Sequence, residues 1–345
     1  MIAPLLDRLC RREDLTRLES AAMVGEIMEG RATPAQIAAL AIALRVKGET
    51  AEELAGGAEA MRARMVRVRA PAGAMDVCGT GGDGRGTFNL STAVAFVVAA
   101  CGVPVAKHGN RAVSSRAGSA DVLEALGARL GSAEGGAAEE AERLLAEVGI
   151  AFLFAPAHHG ALRHAAPVRR ELGVRTFFNL LGPMANPAAV EYQLVGVYDP
   201  RWVEAVAAAL GLLGARRVLV VHGQGLDEIA PAGATVAARW DAQSGRVERL
   251  SLAPADFGVD EAPIEGLAGG DAAANAAILR AALEGRTGGA VRAAIVINAG
   301  AALQVAGRAA SFRDGAARAA RALEDGSAAA RLEAFVAATR RGAGA

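Results

Sequence analysis

Met75-Asp76-Val77-Cys78-Gly79-Thr80-Gly81-Gly82-Asp83-Gly84 joins a short apolar run to a glycine-rich turn. Asn89-Leu90-Ser91-Thr92 then leads into an apolar helical stretch, and a second apolar run delivers Lys107-His108-Gly109-Asn110-Arg111. A strand that ends in glycines lets backbone N–H groups approach a phosphate, and a helix N-terminus aims further donors at negative charge. Lys107 and Arg111 add full positive charge from the end of the neighbouring strand. The segment from Asp76 to Gly127 therefore reads as a two-part anion trap for a small, heavily phosphorylated substrate.

On the N-terminal side the chain reads as a compact helical unit. Thr16-Arg17-Leu18-Glu19, Thr33-Pro34-Ala35-Gln36 and Thr50-Ala51-Glu52-Glu53 are capping-box starts, the second with Pro at the first helical position. Gly30 and Gly48 stand where C-cap glycines would close the two preceding helices, and Ile37, Leu40, Ala41 and Leu44 mark one apolar face. Pro71-Ala72-Gly73 ends that pattern. Beyond it, strand candidates Met75–Cys78, Val103–Ala106, Ala151–Phe154, Val218–Val221 and Ile295–Asn298 alternate with helical stretches near 92–101, 119–127, 138–148, 202–213 and 272–284. This alternation predicts an α/β fold, a large domain (71–345) with a mostly parallel sheet covered by helices. The small N-terminal helical domain (1–70) is expected to be joined by a helical segment near 166–185. In such sheets ligands bind beyond the carboxyl ends of the strands, where Gly79, Lys107 and His222 fall.

Composition narrows the function. At 345 residues and 52% hydrophobic the chain can bury a large core. Its 37 basic and 37 acidic residues cancel, so there is no positive field for nucleic acid or a membrane surface. Cys10, Cys78 and Cys101 are widely spaced and without a CxxC pair, which fits a reducing, cytoplasmic setting. The most apolar stretch, Ala93 to Ala106, is too short to span a bilayer, and no signal-peptide layout precedes it. Two familiar motifs also fall. Gly79 to Gly84 satisfies GxGxxG, but helical sequence waits until Ser91 and the next strand ends in Lys107, where a dinucleotide site needs an acid for the ribose. The P-loop pattern lacks its Lys before the hydroxyl residue.

Together these segments resemble the anthranilate phosphoribosyltransferase family. The likeness is carried by Asp76 to Asp83, Asn89 to Thr92, Lys107-His108-Gly109-Asn110-Arg111-Ala112-Val113-Ser114-Ser115 and Gly118 to Gly127. It continues in Arg175-Thr176-Phe177-Phe178-Asn179-Leu180-Leu181-Gly182-Pro183, Gly225-Leu226-Asp227-Glu228, Ala43 to Thr50 and Asn298-Ala299, the last matching a final strand. Motifs in this order cover the chain from about residue 5 to about 335. The resemblance implies a fold of the pyrimidine phosphorylase type, a homodimer formed through the helical domain, and Mg²⁺ as cofactor. It implies transfer of the phosphoribosyl group from phosphoribosyl pyrophosphate (PRPP) to the amino group of anthranilate, releasing pyrophosphate, in tryptophan biosynthesis.

Carried residue by residue, the likeness assigns PRPP to Gly79, Thr80, Gly81, Gly82, Asp83, Thr87, Asn89, Ser91, Thr92, Lys107 and Ser119. Anthranilate falls to Gly79, His108, Asn110, His159 and Arg169, with a bidentate Arg169–carboxylate pair. Asp227 and Glu228, adjacent carboxylates at a strand-end turn, are metal candidates with Ser91, since Mg²⁺ takes one or two carboxylates and completes its shell with phosphate and water. Departures occur at Gly160 and Leu162, where the family more often has Pro and Met, which leaves the loop at His159 less rigid. Arg163, Arg170 and Arg175, close to Arg169 in sequence, read mostly as solvated or ion-paired. No general base is evident. Two other readings are a nucleoside phosphorylase relative and a non-catalytic homologue that binds nucleic acid. The intact Gly-Thr-Gly-Gly-Asp, Lys-His-Gly-Asn-Arg and Asp227-Glu228 segments favour the transferase over both.

Overall fold

The computed structural model describes residues 2–112, 116–130 and 135–341. Of the features named above, Val113-Ser114-Ser115 and the chain end after Arg341 lie outside the described residues. Helix α1 (Ile2–Cys10) precedes α2 (Arg17–Met28), α3 (Pro34–Lys47) and α4 (Ala51–Arg62). The last three start at the capping boxes of Thr16, Thr33 and Thr50, where Glu19, Gln36 and Glu53 bond back to the cap N–H. Gly30 (φ +74°) and Gly48 (φ +91°) end α2 and α3 in a backbone region that suits glycine.

The α/β part follows as β1 (Met75–Gly79), α5 (Leu90–Ala100), β2 (Val105–Gly109), α6 (Ser119–Ala125), α7 (Ala137–Val148) and β3 (Ile150–Phe154). The one-turn α8 (Ala155–His158), α9 (Ala166–Leu172) and α10 (Phe177–Met184) then lead to β4 (Tyr192–Gly196), α11 (Val203–Leu212) and β5 (Arg217–Gly223). A hairpin of β6 (Thr235–Asp241) and β7 (Arg246–Leu252) precedes α12 (Ala272–Leu283), α13 (Gly289–Val305), α14 (Phe312–Glu324) and α15 (Ser327–Arg341). The sheet order is β3-β2-β1-β4-β5-β6-β7, parallel through β5 and antiparallel beyond it.

Alternate strand residues feed two separate cores. Met75, Val77, Leu194, Leu219 and Val221 point into a core shared with α5, α12, α13, α14 and α15. Cys78, Val195, Val218 and Val220 point the other way, into a core shared with α9, α10, α11 and the four N-terminal helices. This period-two division is what a sheet buried on both faces requires. The helical unit thus packs on one face of the sheet through a common apolar interior.

Three features correct the sequence reading. Ile295–Asn298, expected as a strand and matched to a final strand by resemblance, lies in the middle of α13. A four-residue apolar run does not distinguish a strand from a buried helix. Here the Ala-rich chain from Gly289 to Val305 holds no proline, and the helix runs on through Gly300, where α14 packs closely. Strand β4 went unmarked because a polar residue interrupts its apolar run, the buried Gln193, which donates through Nε2 to the Pro183 carbonyl at 2.8 Å. The β6–β7 hairpin was also unmarked; charged Arg246, Glu248 and Arg249 on the edge strand protect it from further pairing. Among the described residues no helix is long and apolar enough to cross a membrane.

Candidate active site

Strand β1 passes in one direction to β2 and β3, while β4 lies on its other side, so the order reverses between β1 and β4. A crevice opens at such a switch point, beyond the strand ends. Gly79 and Gly196, the last residues of β1 and β4, face each other in register. A Cβ on Gly79 would stand 2.3 Å from Asp227 Oδ2, and one on Gly196 1.5 Å from the Asp227 carbonyl oxygen. Both positions must be bare for the segment after β5 to cross over the sheet. That segment is turned by Gln224 (φ +54°) and Gly225 (φ +83°), and Gly223 and Leu226 exchange two backbone hydrogen bonds. Asn298 clamps it from α13, accepting from the Ile229 N–H at 3.0 Å and donating to the Ile229 carbonyl at 2.9 Å.

The glycine loop is therefore wired to Asp227. The Gly81 N–H donates to Asp227 Oδ2 at 2.7 Å. Thr80 is pinned to β4, its N–H on the Gly196 carbonyl at 2.9 Å and its Oγ1 accepting from the Tyr198 N–H at 3.0 Å. Arg85 holds the far side, donating through Nη2 to the Gln224 carbonyl at 3.0 Å. Thr87 bridges to Ala268 and anchors the loop before α5. Burial, and then the charge of Asp83, push the Asp227 carboxyl up to about 6. Burial and then Asp227 raise Glu228 well above the carboxylate range, although the Ser91 N–H donates to it. Crowded carboxylates of this kind are under-neutralised by the protein alone. Their oxygens fit a hard divalent cation such as Mg²⁺, with Asp227 and Glu228 as donors and Ser91 beside them. Among the described residues no group of three or more His, Cys, Asp or Glu forms a metal cage of its own.

Lys107, 4% exposed, donates through Nζ to the Val77 carbonyl at 2.7 Å and to Ser91 Oγ at 3.1 Å, which leaves its third N–H for a ligand. Behind it lies fully buried Asp76, which accepts from Asn186 Nδ2 at 2.8 Å and from the His108 N–H at 3.2 Å. Thr92 Oγ1 is buried at the α5 N-terminus without a partner, so a donor or acceptor stands ready there. Asn89, read from the sequence as a phosphate donor, is committed within the protein: Nδ2 to the Ala117 carbonyl at 3.3 Å and Oδ1 to Asn275 at 3.0 Å. Arg111 is a second difference. Asp121 and Glu124 of α6 neutralise its guanidinium at 3.1 and 2.6 Å, which leaves the positive charge facing the site to Lys107.

The acceptor candidates gather around α10. His108 Nδ1 lies 3.1 Å from the Gly182 carbonyl oxygen, which fixes the proton on Nδ1 and leaves Nε2 as a bare acceptor. Its ring stands 5.1 Å from that of His159. Burial holds the two imidazoles neutral, pushed down to about 3 and about 4. His108 Nε2 and both His159 nitrogens are buried without a hydrogen-bond partner. Arg169 stacks over Phe178 at 5.7 Å, and burial lowers its pKa. Phe178 and Gly182 are one turn apart on α10, so Arg169 and His108 meet the same face of that helix. Among the described residues Arg169 has no carboxylate partner. Asn110 is exposed, its Oδ1 accepting from the Arg111 N–H at 2.8 Å, and Ser119 Oγ donates to the Asn110 carbonyl at 3.3 Å.

Sequence reasoning missed Gly196, Asn186 and Asn275 and read Asn298 only as a strand residue, since their partners lie far off in the chain. Asp76 stood inside the quoted motif and carried the one available signal, a carboxylate in an apolar strand.

A helical bundle beside a switch-point glycine loop with paired carboxylates is the arrangement to which the glycosyl transferase family models match. Residues 3–65 match the glycosyl transferase family helical bundle domain and residues 71–329 its a/b domain. An anthranilate phosphoribosyltransferase of Anaeromyxobacter sp. (strain Fw109-5) is 52% identical over 99% of this chain and all of the relative. That of Myxococcus xanthus (strain DK1622) is 51% identical over 96% of this chain and 97% of the relative. The solved anthranilate phosphoribosyltransferase of Thermus thermophilus superposes with TM-score 0.89 at 43% identity, covering 97% of this chain and 99% of that one. The Saccharomyces cerevisiae enzyme in complex with PRPP and Mg gives TM-score 0.86 at 26% identity, covering 99% and 98%. The chain belongs to the anthranilate phosphoribosyltransferase family, pentosyltransferases of tryptophan biosynthesis.

Proposed function

We propose that this chain's reaction, transfer of the 5-phosphoribosyl group from PRPP to the amino group of anthranilate with Mg²⁺ as cofactor, is carried out at the β1–β4 switch point. The reading rests on the meeting there of the glycine cradle with the Asp227-Glu228 pair, supported by the bond from the Gly81 N–H to Asp227. Gly79, Thr80, Gly81, Gly82 and Asp83 hold the pyrophosphate, with Ser91 and Thr92 at the α5 N-terminus and Lys107 in β2. Thr87 and Asn89 keep the cradle in shape, and Ser119 closes its far side. Asp227, Glu228 and Ser91 hold Mg²⁺, which when bound supplies positive charge to the diphosphate.

As the C1′–O bond breaks, the electron pair leaves with pyrophosphate and positive charge develops on the ribose. The protein's contribution is positioning and charge stabilisation. The anthranilate nitrogen then donates its lone pair to C1′ and loses a proton. Arg169 takes the anthranilate carboxylate as its missing partner, and Asn110 and Gly79 are further acceptor ligands by family resemblance. His108 Nε2 accepts a hydrogen bond from the amine, and His159 walls the pocket as a neutral ring. With a pKa of about 3, His108 orients the amine and is too weak a base to hold its proton at neutral pH. The substrate's own ortho carboxylate takes that proton and passes it on to water, with no protein side chain acting as the base.

The helical unit 1–70, joined by the segment 166–185, and the α/β unit 71–345 form the two domains. The working form is a cytoplasmic homodimer joined through the helical domain. Leu18, 81% exposed on α2, and Val46, 63% exposed on α3, are large apolar side chains of that domain open to a second copy.

Loss of anthranilate fluorescence on mixing the protein with PRPP, with and without EDTA, tests the reaction. A metal-dependent decay is expected. Phosphorolysis of thymidine or uridine in place of that decay would reassign the chain to the phosphorylase reading.

A further inference from the structure

Arg175 lies on the turn between α9 and α10, with its carbonyl oxygen held by Arg45 Nη1 of α3 at 2.5 Å. Its guanidinium stacks 4.5 Å from the centre of the Tyr198 ring. It also abuts the glycine loop, where a Cβ on Gly82 would stand 3.0 Å from Arg175 Nε. Gly82 already needs glycine for its φ of +75°, and the close approach of Arg175 is a second reason. Most arginines of this chain with a neighbouring acid use it: Arg111 has Glu124, Arg143 has Glu140, Arg69 has Glu142. Arg175, half-buried, has no carboxylate partner among the described residues.

We infer that Arg175 is a further ligand of the diphosphate leaving group, closing the glycine cradle from the side of the helical segment. A guanidinium stacked on a ring has that face covered, and among the described residues no acceptor takes the N–H edge of Arg175. That edge is the part that meets two phosphate oxygens in a plane, and the stacking fixes its orientation in advance. The loop N–H groups hold the diphosphate from one side while Arg175 meets it from the other. Charge grows on the leaving group as the C1′–O bond breaks, so the contact strengthens along the reaction. The Arg45 bond ties the same turn to α3, so a diphosphate held by Arg175 touches both parts of the chain.

The inference rests on the PRPP reading above, and a direct binding measurement separates the two. Pyrophosphate with Mg²⁺ is titrated calorimetrically into the wild-type protein, R175A and R175K, with no acceptor present. Arg175→Ala is expected to weaken pyrophosphate binding about 10- to 100-fold, the range of one or two lost bonds to a charged group. The KM for PRPP should rise and pyrophosphate inhibition should weaken by a similar factor, while the KM for anthranilate stays within about 2-fold, as distinct ligands require. Arg175→Lys should recover part of the loss, since it keeps charge without the planar fork. Unchanged pyrophosphate binding in folded R175A overturns the inference, as does a rise confined to the anthranilate KM, which would make Arg175 an acceptor ligand. If R175A does not fold, R175K decides: wild-type pyrophosphate affinity there removes the planar contact. Failure of the wild-type protein to bind pyrophosphate at all would sink the PRPP reading instead.

Discussion

Replacing Arg169 with Met separates a binding role from a structural one, because the two give opposite patterns. The guanidinium is half-buried, stacked on Phe178, and unpaired with any carboxylate among the described residues. Removing a cation from a structural ion pair usually costs about 3–5 kcal/mol, since the partner charge is left buried. Arg169 has no such partner to strand. Methionine restores most of the contact with Phe178 and forgoes a cation–π term of about 0.5–2 kcal/mol, while relief of the buried charge works the other way. Folding stability should therefore stay within about 1 kcal/mol of wild type, the scale of a volume-conserving change. The catalytic loss should be much larger. Two charge-assisted hydrogen bonds to the anthranilate carboxylate contribute together about 3 kcal/mol, or about 150-fold in kcat/KM for anthranilate. Fluorescence progress curves at saturating PRPP read the second quantity and urea midpoints the first. A stability loss above about 3 kcal/mol would refute the reasoning, as it would expose a structural partner. So would equal changes in the PRPP and anthranilate KM values.

Lys107→Met should both destabilise and weaken PRPP binding, because the ammonium lies close to buried Asp76 and Glu228. About 3–5 kcal/mol of stability should be lost in urea; a normal PRPP KM in the surviving protein would remove Lys107 from the phosphate site. Asp227→Asn combined with Glu228→Gln should raise half-saturating Mg²⁺ at least about 10-fold or abolish turnover, with the far-ultraviolet circular dichroism unchanged. An identical Mg²⁺ titration would strike both residues from the metal site. For pH, the folded values of about 3 and 4 at His108 and His159 lie below the ordinary histidine value, so the unfolded chain binds protons first as pH falls. Stability is full above about pH 6.5 and falls toward pH 4, by up to about 1.4 kcal/mol per pH unit for each ring. His159→Gln should flatten that slope by one ring's share; an unaltered slope in urea midpoints against pH would contradict it.

What was legible in the chain was local. The capping boxes at Thr16, Thr33 and Thr50 need only four consecutive residues, and they form as read. The glycine loop at the end of β1 and Lys107 within β2 lie on adjacent parallel strands, which alternation and an apolar run suffice to place. Position across the fold was less visible. Nothing near Gly196 in sequence announces that Asp227 will lie over it, and nothing near Asn298 that it will clamp Ile229. Ile295–Asn298 failed for a different reason, since β-branched residues favour a strand by propensity while the Ala-rich context carried the helix through, Gly300 included. Arg111 and Arg175 exchanged expectations. The first is neutralised by α6, and the second, grouped with ordinary solvated arginines, is unpaired beside the loop.

The Asp227 segment lying over Gly79 and Gly196 limits how this enzyme can be recombined. Residues 79, 196 and 227 are scattered along the chain, yet they meet at one crossing with no room for a single methyl group. A chimera whose breakpoint falls between Gly79 and Asp227 joins a strand end from one parent to a crossing segment from another. If either parent carries a side chain at either glycine position, the carboxylate pair is displaced from the cradle in the same step. Breakpoints before β1 or after Ile229 keep the crossing intact, and family shuffling should recover active clones from those positions first.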